Sequence, residues 1–147
     1  GSRVGPYARL RPYTVLGCNV KVGSFCEVKA SLIMDGSKIP HLCYVGDSII
    51  GADCNLGAGT LIGNLRLDEK PVSMRLKGVK VTSGRRKLGA VLGDMVRTAV
   101  NVSIMPGVRI GFGSRIGPTI AVTRDIPPET FVMAEQKLVF KPLREEV

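Results

Sequence analysis

Along most of this chain an aliphatic residue returns every six positions, apart from two five-residue steps. The repeat positions are Val4, Leu10, Leu16, Val22, Val28, Ile33, Ile39, Val45, Ile50, Leu56 and Ile62, then Leu92, Thr98, Ile104, Ile110, Ile116 and Val122. An amphipathic helix needs an apolar spacing of about 3.6 residues and an ordinary strand one of about 2, so a period of six fits neither.

A six-residue period is typical of a parallel β-helix. Each hexad supplies one short strand and one corner, three hexads form a coil, and stacked coils bury a continuous aliphatic interior. Eleven hexads precede residue 65 and six follow residue 91, which gives five to six coils. Coils of this kind are typically left-handed, an exception to the right-handed crossover rule, although the period alone does not fix the hand. We therefore predict an all-β, left-handed parallel β-helix.

A second residue, usually small, follows each repeat residue by four positions and is expected to point inward near a corner. These positions include Cys26, Cys43 and Cys54 and, within the two five-residue steps, Leu32 and Ile49. We interpret the three cysteines as buried free thiols and Cys18 as an exposed corner thiol. With no CxxC pair and a single histidine, we expect no metal site.

Two segments depart from the repeat. Between about residues 65 and 91, which we call the arm, Val72, Met74 and Leu76 alternate before a Lys77-Gly78 bend, which predicts a hairpin projecting from one corner. After the repeat domain, residues 1–127, a pair of prolines ends the pattern. We expect residues 128–147 to fold back as a strand or helix that caps the last coil and covers its unpaired backbone.

The formal charge of +9 is concentrated around the arm, where residues 65–97 hold nine Lys or Arg against three Asp or Glu. Such a patch predicts an anionic ligand. We favour a small phosphorylated ligand over nucleic acid, because aromatic stacking platforms and a groove-reading helix are missing. No apolar run is long enough to span a membrane and no signal peptide is visible, so we expect a cytoplasmic protein without a membrane partner.

The single histidine, His41, occupies the third place of the hexad IPHLCY, an outward corner position. An exposed imidazole can accept a proton near neutral pH. Since neighbouring coils lie about 18 residues apart, polar groups should gather around it, namely Arg11, Lys29, Tyr44, Asn55, Asn64 and Lys70. Each alone is an ordinary surface group, but together they could hold a phosphorylated sugar.

Four strings carry a resemblance to a known family: GPYARLRP (5–12), VGSFCEVK (22–29), GSKIPHLCYVGDS (36–48) and ADCNLGAGT (52–60). They are similar to the acetyltransferase domain of bifunctional sugar-1-phosphate nucleotidylyltransferase/acetyltransferases, of the archaeal GlmU-like type. The resemblance implies acetyl transfer from acetyl-CoA to the amine of glucosamine 1-phosphate, and also of galactosamine 1-phosphate, in UDP-N-acetylhexosamine synthesis.

The same resemblance implies roles for individual residues. His41 would be the general base, and Asn64 would polarise the thioester carbonyl. Arg11 and Lys29 would bind phosphate, and Tyr44 and Asn55 would contact the sugar phosphate. Lys70 matches a lysine implicated in archaeal members, whereas Leu65 replaces a tyrosine that bacterial members carry. The resemblance also implies a homotrimer with its sites between subunits. It further implies a nucleotidylyltransferase domain that precedes this chain.

Two alternative functions are compatible with a β-helix. A γ-class carbonic anhydrase has the same fold but needs three zinc-binding histidines, and this chain has one. A non-catalytic β-helix that only trimerises a nucleotidylyltransferase remains open. The acetyltransferase hypothesis requires direct transfer of the acetyl group from acetyl-CoA to the amine, without a covalent acetyl-enzyme. No cysteine or serine is placed as a nucleophile beside the base.

Overall fold

Three parallel sheets form the three faces of a prism in the computed structural model, which describes residues 1–143. The first face contains Arg3–Val4, Lys21–Ser24, Lys38–His41, Asn55–Leu56, Arg97–Thr98, Arg115–Ile116 and Phe131–Val132. The second contains Arg9–Leu10, Glu27–Lys29, Tyr44–Gly46, Leu61–Ile62, Ser103–Ile104 and Ala121–Val122. The third contains Val15–Leu16, Leu32–Ile33, Ile49–Ile50, Val91–Leu92 and Arg109–Ile110. The fold is the predicted left-handed parallel β-helix.

The prism is longer than the hexad count indicated. Its first face stacks seven strands, and the seventh, Phe131–Val132, pairs with Arg115–Ile116 in parallel. This strand lies in the segment that we expected to be a cap, so part of that segment continues the coil. Residues 133–143 add no strand or helix, and residues 144–147 of the expected cap lie outside the described part of the chain.

The aliphatic repeat residues form the interior. From Val22 onward, the repeat residues of all three faces are 0 to 5 % exposed, for example Val22, Ile39 and Ile104. Fully burying such a side chain contributes about 1.5–3 kcal/mol. Val4 and Leu10, in the first coil that the structure describes, are 48 % and 40 % exposed. The period therefore predicts the core wherever coils lie on both sides.

The two five-residue steps shift the inward position near the corner. Serines take the inward position within these steps, since Ser31 and Ser48 are each 3 % exposed. Leu32 and Ile49, which we expected to point inward, are 36 % and 42 % exposed. Each shortened corner lacks one residue, so the small inward position falls three rather than four residues after the repeat residue. The expectation for Leu32 and Ile49 was wrong for this reason.

Many corners hold non-glycine residues in the left-handed region. Tyr13, Ala30 and Asp47 have φ of 65°, 46° and 51° at successive turns between the second and third faces. Such a conformation costs an L-residue about 1–2 kcal/mol. The stacked coils compensate through ladder hydrogen bonds across these corners, such as Asp47 N to Lys29 O at 2.8 Å.

The arm contains the predicted hairpin but does not project freely. Ser73–Leu76 pairs with Val79–Thr82 in antiparallel fashion around Lys77 and Gly78. At its base, Val72 is only 1 % exposed. The Arg109 guanidinium, ion-paired with Asp125, also donates to the carbonyl of Arg75. The base of the arm therefore packs on the later coils, whereas its tip stays exposed.

The cysteines lie where the pattern predicted. Cys26, Cys43 and Cys54 are buried and Cys18 is exposed, all as free thiols. Burial raises the pKa of the Cys43 thiol to about 11. The pKa of Cys54 is raised by the same cause. These three thiols therefore act as small core residues.

Candidate active site

His41 ends a first-face strand at the corner that leads into the second face. Its backbone is fixed, because the carbonyl accepts hydrogen bonds from Gly59 N at 3.2 Å and from the Cys43 thiol at 2.9 Å. Its side chain is exposed and, within residues 1–143, forms no hydrogen bond to protein. The structure thus presents a free imidazole on a rigid corner.

One carboxylate, Asp47, organises the polar groups on the second face. Lys29 Nζ lies 2.9 Å from both Asp47 oxygens. Asn64 Nδ2 donates to Asp47 Oδ2 at 2.5 Å and to Tyr44 Oη at 3.1 Å. The Asp47 side chain is 12 % exposed and that of Lys29 is 20 % exposed, so solvent screens this pair weakly. Three of the predicted residues therefore meet through a residue that the sequence did not single out.

Gly46 provides the space in which this cluster forms. A Cβ at this position would lie 2.5 Å from Tyr44 Oη and 2.7 Å from Asn64 Nδ2. Both distances are far inside van der Waals contact. The glycine is needed here for close approach of the two side chains.

Arg11 lies one coil before Lys29 on the same side of the prism. Its guanidinium donates to Glu27 Oε1 at 2.8 Å, and both side chains are about one-third exposed. The hydrogen bond to Glu27 raises the pKa of the Arg11 guanidinium. Arg11 thus faces the solvent with its position fixed by a neighbouring carboxylate.

A cleft of about 890 Å³ opens over this face. Its lining combines residues of the coils with the segment of the arm that follows the hairpin: Arg11, Pro12, Tyr13, Lys29, Ala30, Asp47, Arg85, Arg86 and Lys87. Five cations and one carboxylate make it strongly positive. The hydrogen bonds from Leu88 N to Asn64 O and from Gly89 N to Asp47 O, 2.9 and 2.8 Å long, tie the arm to the cluster.

Asn55 and Lys70 lie apart from that cleft. Asn55 faces outward on the first face, in register with Lys38 and Arg97. Lys70 is exposed at the root of the arm, where its backbone N–H contacts Asp68. Within residues 1–143 neither side chain forms a hydrogen bond. A single chain therefore brings together Arg11, Lys29, Tyr44 and Asn64, but does not bring Asn55 or Lys70 to them.

Sequence reasoning missed the carboxylates. Asp47 stands 18 residues after Lys29, one coil away, and Glu27 stands 16 residues after Arg11. The coil spacing that placed the cations together could have identified both acids. In the described part of the chain, no group of three or more His, Cys, Asp or Glu side chains is arranged to hold a metal ion. Nor does a helix long and apolar enough to cross a membrane occur there.

Residues 1–105 match a protein family described as "GMPPB C-terminal domain". The chain belongs to this family. Its curated relatives also agree with the resemblance carried by the four strings. It is 59 % identical over 122 residues to a "Bifunctional sugar-1-phosphate nucleotidylyltransferase/acetyltransferase" of Sulfurisphaera tokodaii, covering 83 % of this chain and 30 % of that protein. It is 51 % identical over 140 residues to a "Bifunctional protein GlmU" of Methanocaldococcus jannaschii, covering 95 % and 34 %. The chain thus spans about a third of these relatives.

Solved structures support the fold. PerB from Caulobacter crescentus, in complex with CoA and GDP-perosamine, superposes with a TM-score of 0.69 at 23 % identity, over 88 % of this chain and 52 % of PerB. The acetyltransferase domain of PglB from Neisseria gonorrhoeae gives 0.69 at 16 % identity, over 89 % and 53 %. At these identities the likeness concerns the β-helix only.

Proposed function

We propose that this chain transfers an acetyl group from acetyl-CoA to the amine of glucosamine 1-phosphate. The observation that carries the proposal is the positive cleft lined by Arg11 and Lys29, whose Asp47 carboxylate also holds Asn64 and, through it, Tyr44. The free imidazole of His41 stands at the corner that precedes the second-face strand of Tyr44. The names of the curated relatives support it. Galactosamine 1-phosphate, which differs in one hydroxyl orientation, is a second acceptor of the same class.

In this proposal the cleft cations bind the sugar phosphate. Arg11 and Lys29 are held by carboxylates, which fix their direction and leave further donors of each cation for a ligand. His41 removes the proton from the attacking amine, a contribution of about 10²–10⁴-fold for a general base. Direct attack of nitrogen on the thioester then requires no covalent acetyl-enzyme.

A row of cations along the first face offers a place for the phosphates of acetyl-CoA. The row consists of Arg3, Lys21, Lys38, Arg97 and Arg115, in register on successive strands and interrupted only by Asn55. No ion pair within residues 1–143 neutralises these side chains. Lys38 shares its strand with His41, and a depression of about 560 Å³ runs over Lys38, Arg97 and Arg115. The cosubstrate would therefore extend along the prism away from the base.

The proposal includes a homotrimer. On the third face the outward row Val15, Leu32 and Ile49 is 57, 36 and 42 % exposed, and it continues to Val91. Aligned aliphatic side chains on a flat strand surface favour burial against another protein surface. With sites between subunits, as the resemblance implies, the arm of one copy would reach the coenzyme bound by its neighbour.

Two further proposals follow from the relatives. They are about three times as long as this chain, so we propose that a nucleotidylyltransferase domain precedes it in the natural protein. A cytoplasmic location, without nucleic-acid or membrane partners, stays a prediction.

The rival function is a trimerising scaffold without chemistry, which the exposed apolar row also favours. Steady-state release of CoA from acetyl-CoA, measured with the purified chain and each amino-sugar 1-phosphate, separates the two functions. Free glucosamine and N-acetylglucosamine 1-phosphate are matched controls, one without the phosphate and one without a free amine. The acetyltransferase requires release with glucosamine 1-phosphate and much less with both controls. Absence of release with either amino-sugar 1-phosphate, at saturating acetyl-CoA, would favour the scaffold.

A further inference from the structure

The two second-face cations of the cleft already have acidic partners. Arg11 donates to Glu27 Oε1 at 2.8 Å, and Lys29 Nζ lies 2.9 Å from both carboxylate oxygens of Asp47. Each of these ion pairs has little net charge. A phosphate monoester carries a charge of about −1.5 to −2 at pH 7. The two pairs therefore offer directed hydrogen-bond donors to a phosphate group but do not balance its charge.

The uncompensated positive charge of the cleft comes from the arm. Arg85 and Lys87 line the cleft together with the second-face cations, and both are exposed. Within residues 1–143, neither side chain forms an ion pair. Arg86, the third arm cation at the cleft, is paired with Glu69. Arg85 and Lys87 are therefore the cations that can balance the charge of a bound anion.

The backbone of this part of the arm is fixed against the coils. Lys87 forms an antiparallel bridge with Leu65. Two residues later, Gly89 N donates to Asp47 O at 2.8 Å. A Cβ on Gly89 would lie 2.1 Å from the carbonyl oxygen of Gly46, so glycine is needed for this close approach. The arm cations are thus held beside the residue whose carboxylate orients the second-face lysine.

We propose that Arg85 and Lys87 complete the subsite for the phosphate of the amino sugar. This assignment rests on the proposed function. Arg11 and Lys29, each held by a carboxylate, orient the phosphate oxygens, and the two arm cations balance the phosphate charge. The phosphate is then held between the coils and the arm. Discrimination between a sugar 1-phosphate and a free sugar therefore depends on the arm as well as on the coils.

Calorimetric titration with glucosamine 1-phosphate, without acetyl-CoA, tests the assignment. The variant carries Arg85→Gln and Lys87→Gln, which remove both charges and leave the backbone hydrogen bonds in place. An exposed ion pair contributes a factor of up to about 5 in an equilibrium constant, so loss of both cations should raise the Kd about 10–30-fold. Salt screens such charges, so the Kd of the variant should also depend less on ionic strength than that of the wild type.

A matched control removes the same charge from the hairpin of the arm. Lys77→Gln with Lys80→Gln changes two exposed lysines that do not line the cleft, and it should leave the Kd nearly unchanged. Equal increases in the Kd of the two double variants would show a general effect of net charge and would overturn the assignment. An unchanged Kd in the variant of Arg85 and Lys87, or a wild type that does not bind glucosamine 1-phosphate, would also overturn it.

Acetyl-CoA is the other source of phosphate groups in the reaction, and steady-state kinetics separate the two. In the variant of Arg85 and Lys87, the KM for glucosamine 1-phosphate should rise while the KM for acetyl-CoA stays unchanged. The reverse pattern would assign these cations to the coenzyme and would overturn the proposal. A wild type that binds glucosamine 1-phosphate more tightly than this variant but releases no CoA would overturn the proposed function alone. An active wild type whose kinetics the variant reproduces would overturn the assignment alone.

Discussion

Replacing Ala30 by glycine should not destabilise the fold, although such a change usually does. Ala30 occupies a corner with φ of 46°, where an L-residue pays about 1–2 kcal/mol. Glycine removes that cost but adds about 0.5–1 kcal/mol through the entropy of the unfolded chain. The free energy of unfolding should therefore stay unchanged or rise by up to about 1.5 kcal/mol.

Ala121→Gly is the matched control, because Ala121 is an exposed alanine within a strand and does not have a positive φ. Glycine there should lower the free energy of unfolding by about 0.5–1 kcal/mol. Urea denaturation at one protein concentration measures both variants, since assembly makes stability concentration-dependent. Equal losses in the two variants would refute the left-handed corner as a source of strain.

Three further predictions concern the core, the thiols and the arm. Ile104→Ala should cost about 2–5 kcal/mol in urea denaturation, because Ile104 is completely buried; a loss below about 1 kcal/mol would contradict the stacked interior. Because the folded pKa of Cys43 is raised from 9.0 to about 11, the folded state keeps a proton that the unfolded state releases. The free energy of unfolding should thus fall as pH rises from 9 to 11, and it should fall less in Cys43→Ala. An identical fall in both proteins would exclude this thiol as a cause of the pH dependence. Arg109→Gln should speed amide exchange in Ser73–Leu76, since it removes the hydrogen bond to the Arg75 carbonyl. Unchanged exchange would show that this hydrogen bond does not hold the arm on the coils.

The six-residue period predicted the fold because it is local information repeated many times. Each hexad requires an inward residue and a turn, so one misread step does not alter the architecture. The misplacement of Leu32 and Ile49 shows the limit, since a shortened corner changes which residue points inward and only the packed coils reveal it. The strand Phe131–Val132 was not predicted, because a four-residue step from Val122 to Ile126 hides the return of the period. Ile126 pairs with Ile110, and Val132 follows it by six residues and pairs with Ile116.

The candidate site was predictable in part. Coil spacing and the family strings identified Lys29, Tyr44 and Asn64, which the structure brings together. The pattern could not reveal that Asp47 holds both Lys29 and Asn64, because hydrogen-bond partners depend on side-chain geometry. It also could not show that the arm returns Arg85 to the cleft, since the path of an insertion depends on long-range packing.

In the proposed function His41, at the corner between the first and second faces, acts as the base for acetyl transfer. Single-turnover formation of N-acetylglucosamine 1-phosphate, followed by mass spectrometry with wild type and His41→Ala, tests it most directly. The alanine variant should keep the β-sheet circular dichroism signal and the melting temperature, because the His41 side chain is exposed. Its product should form about 10²–10⁴-fold more slowly. An equal rate in the folded variant would contradict the account.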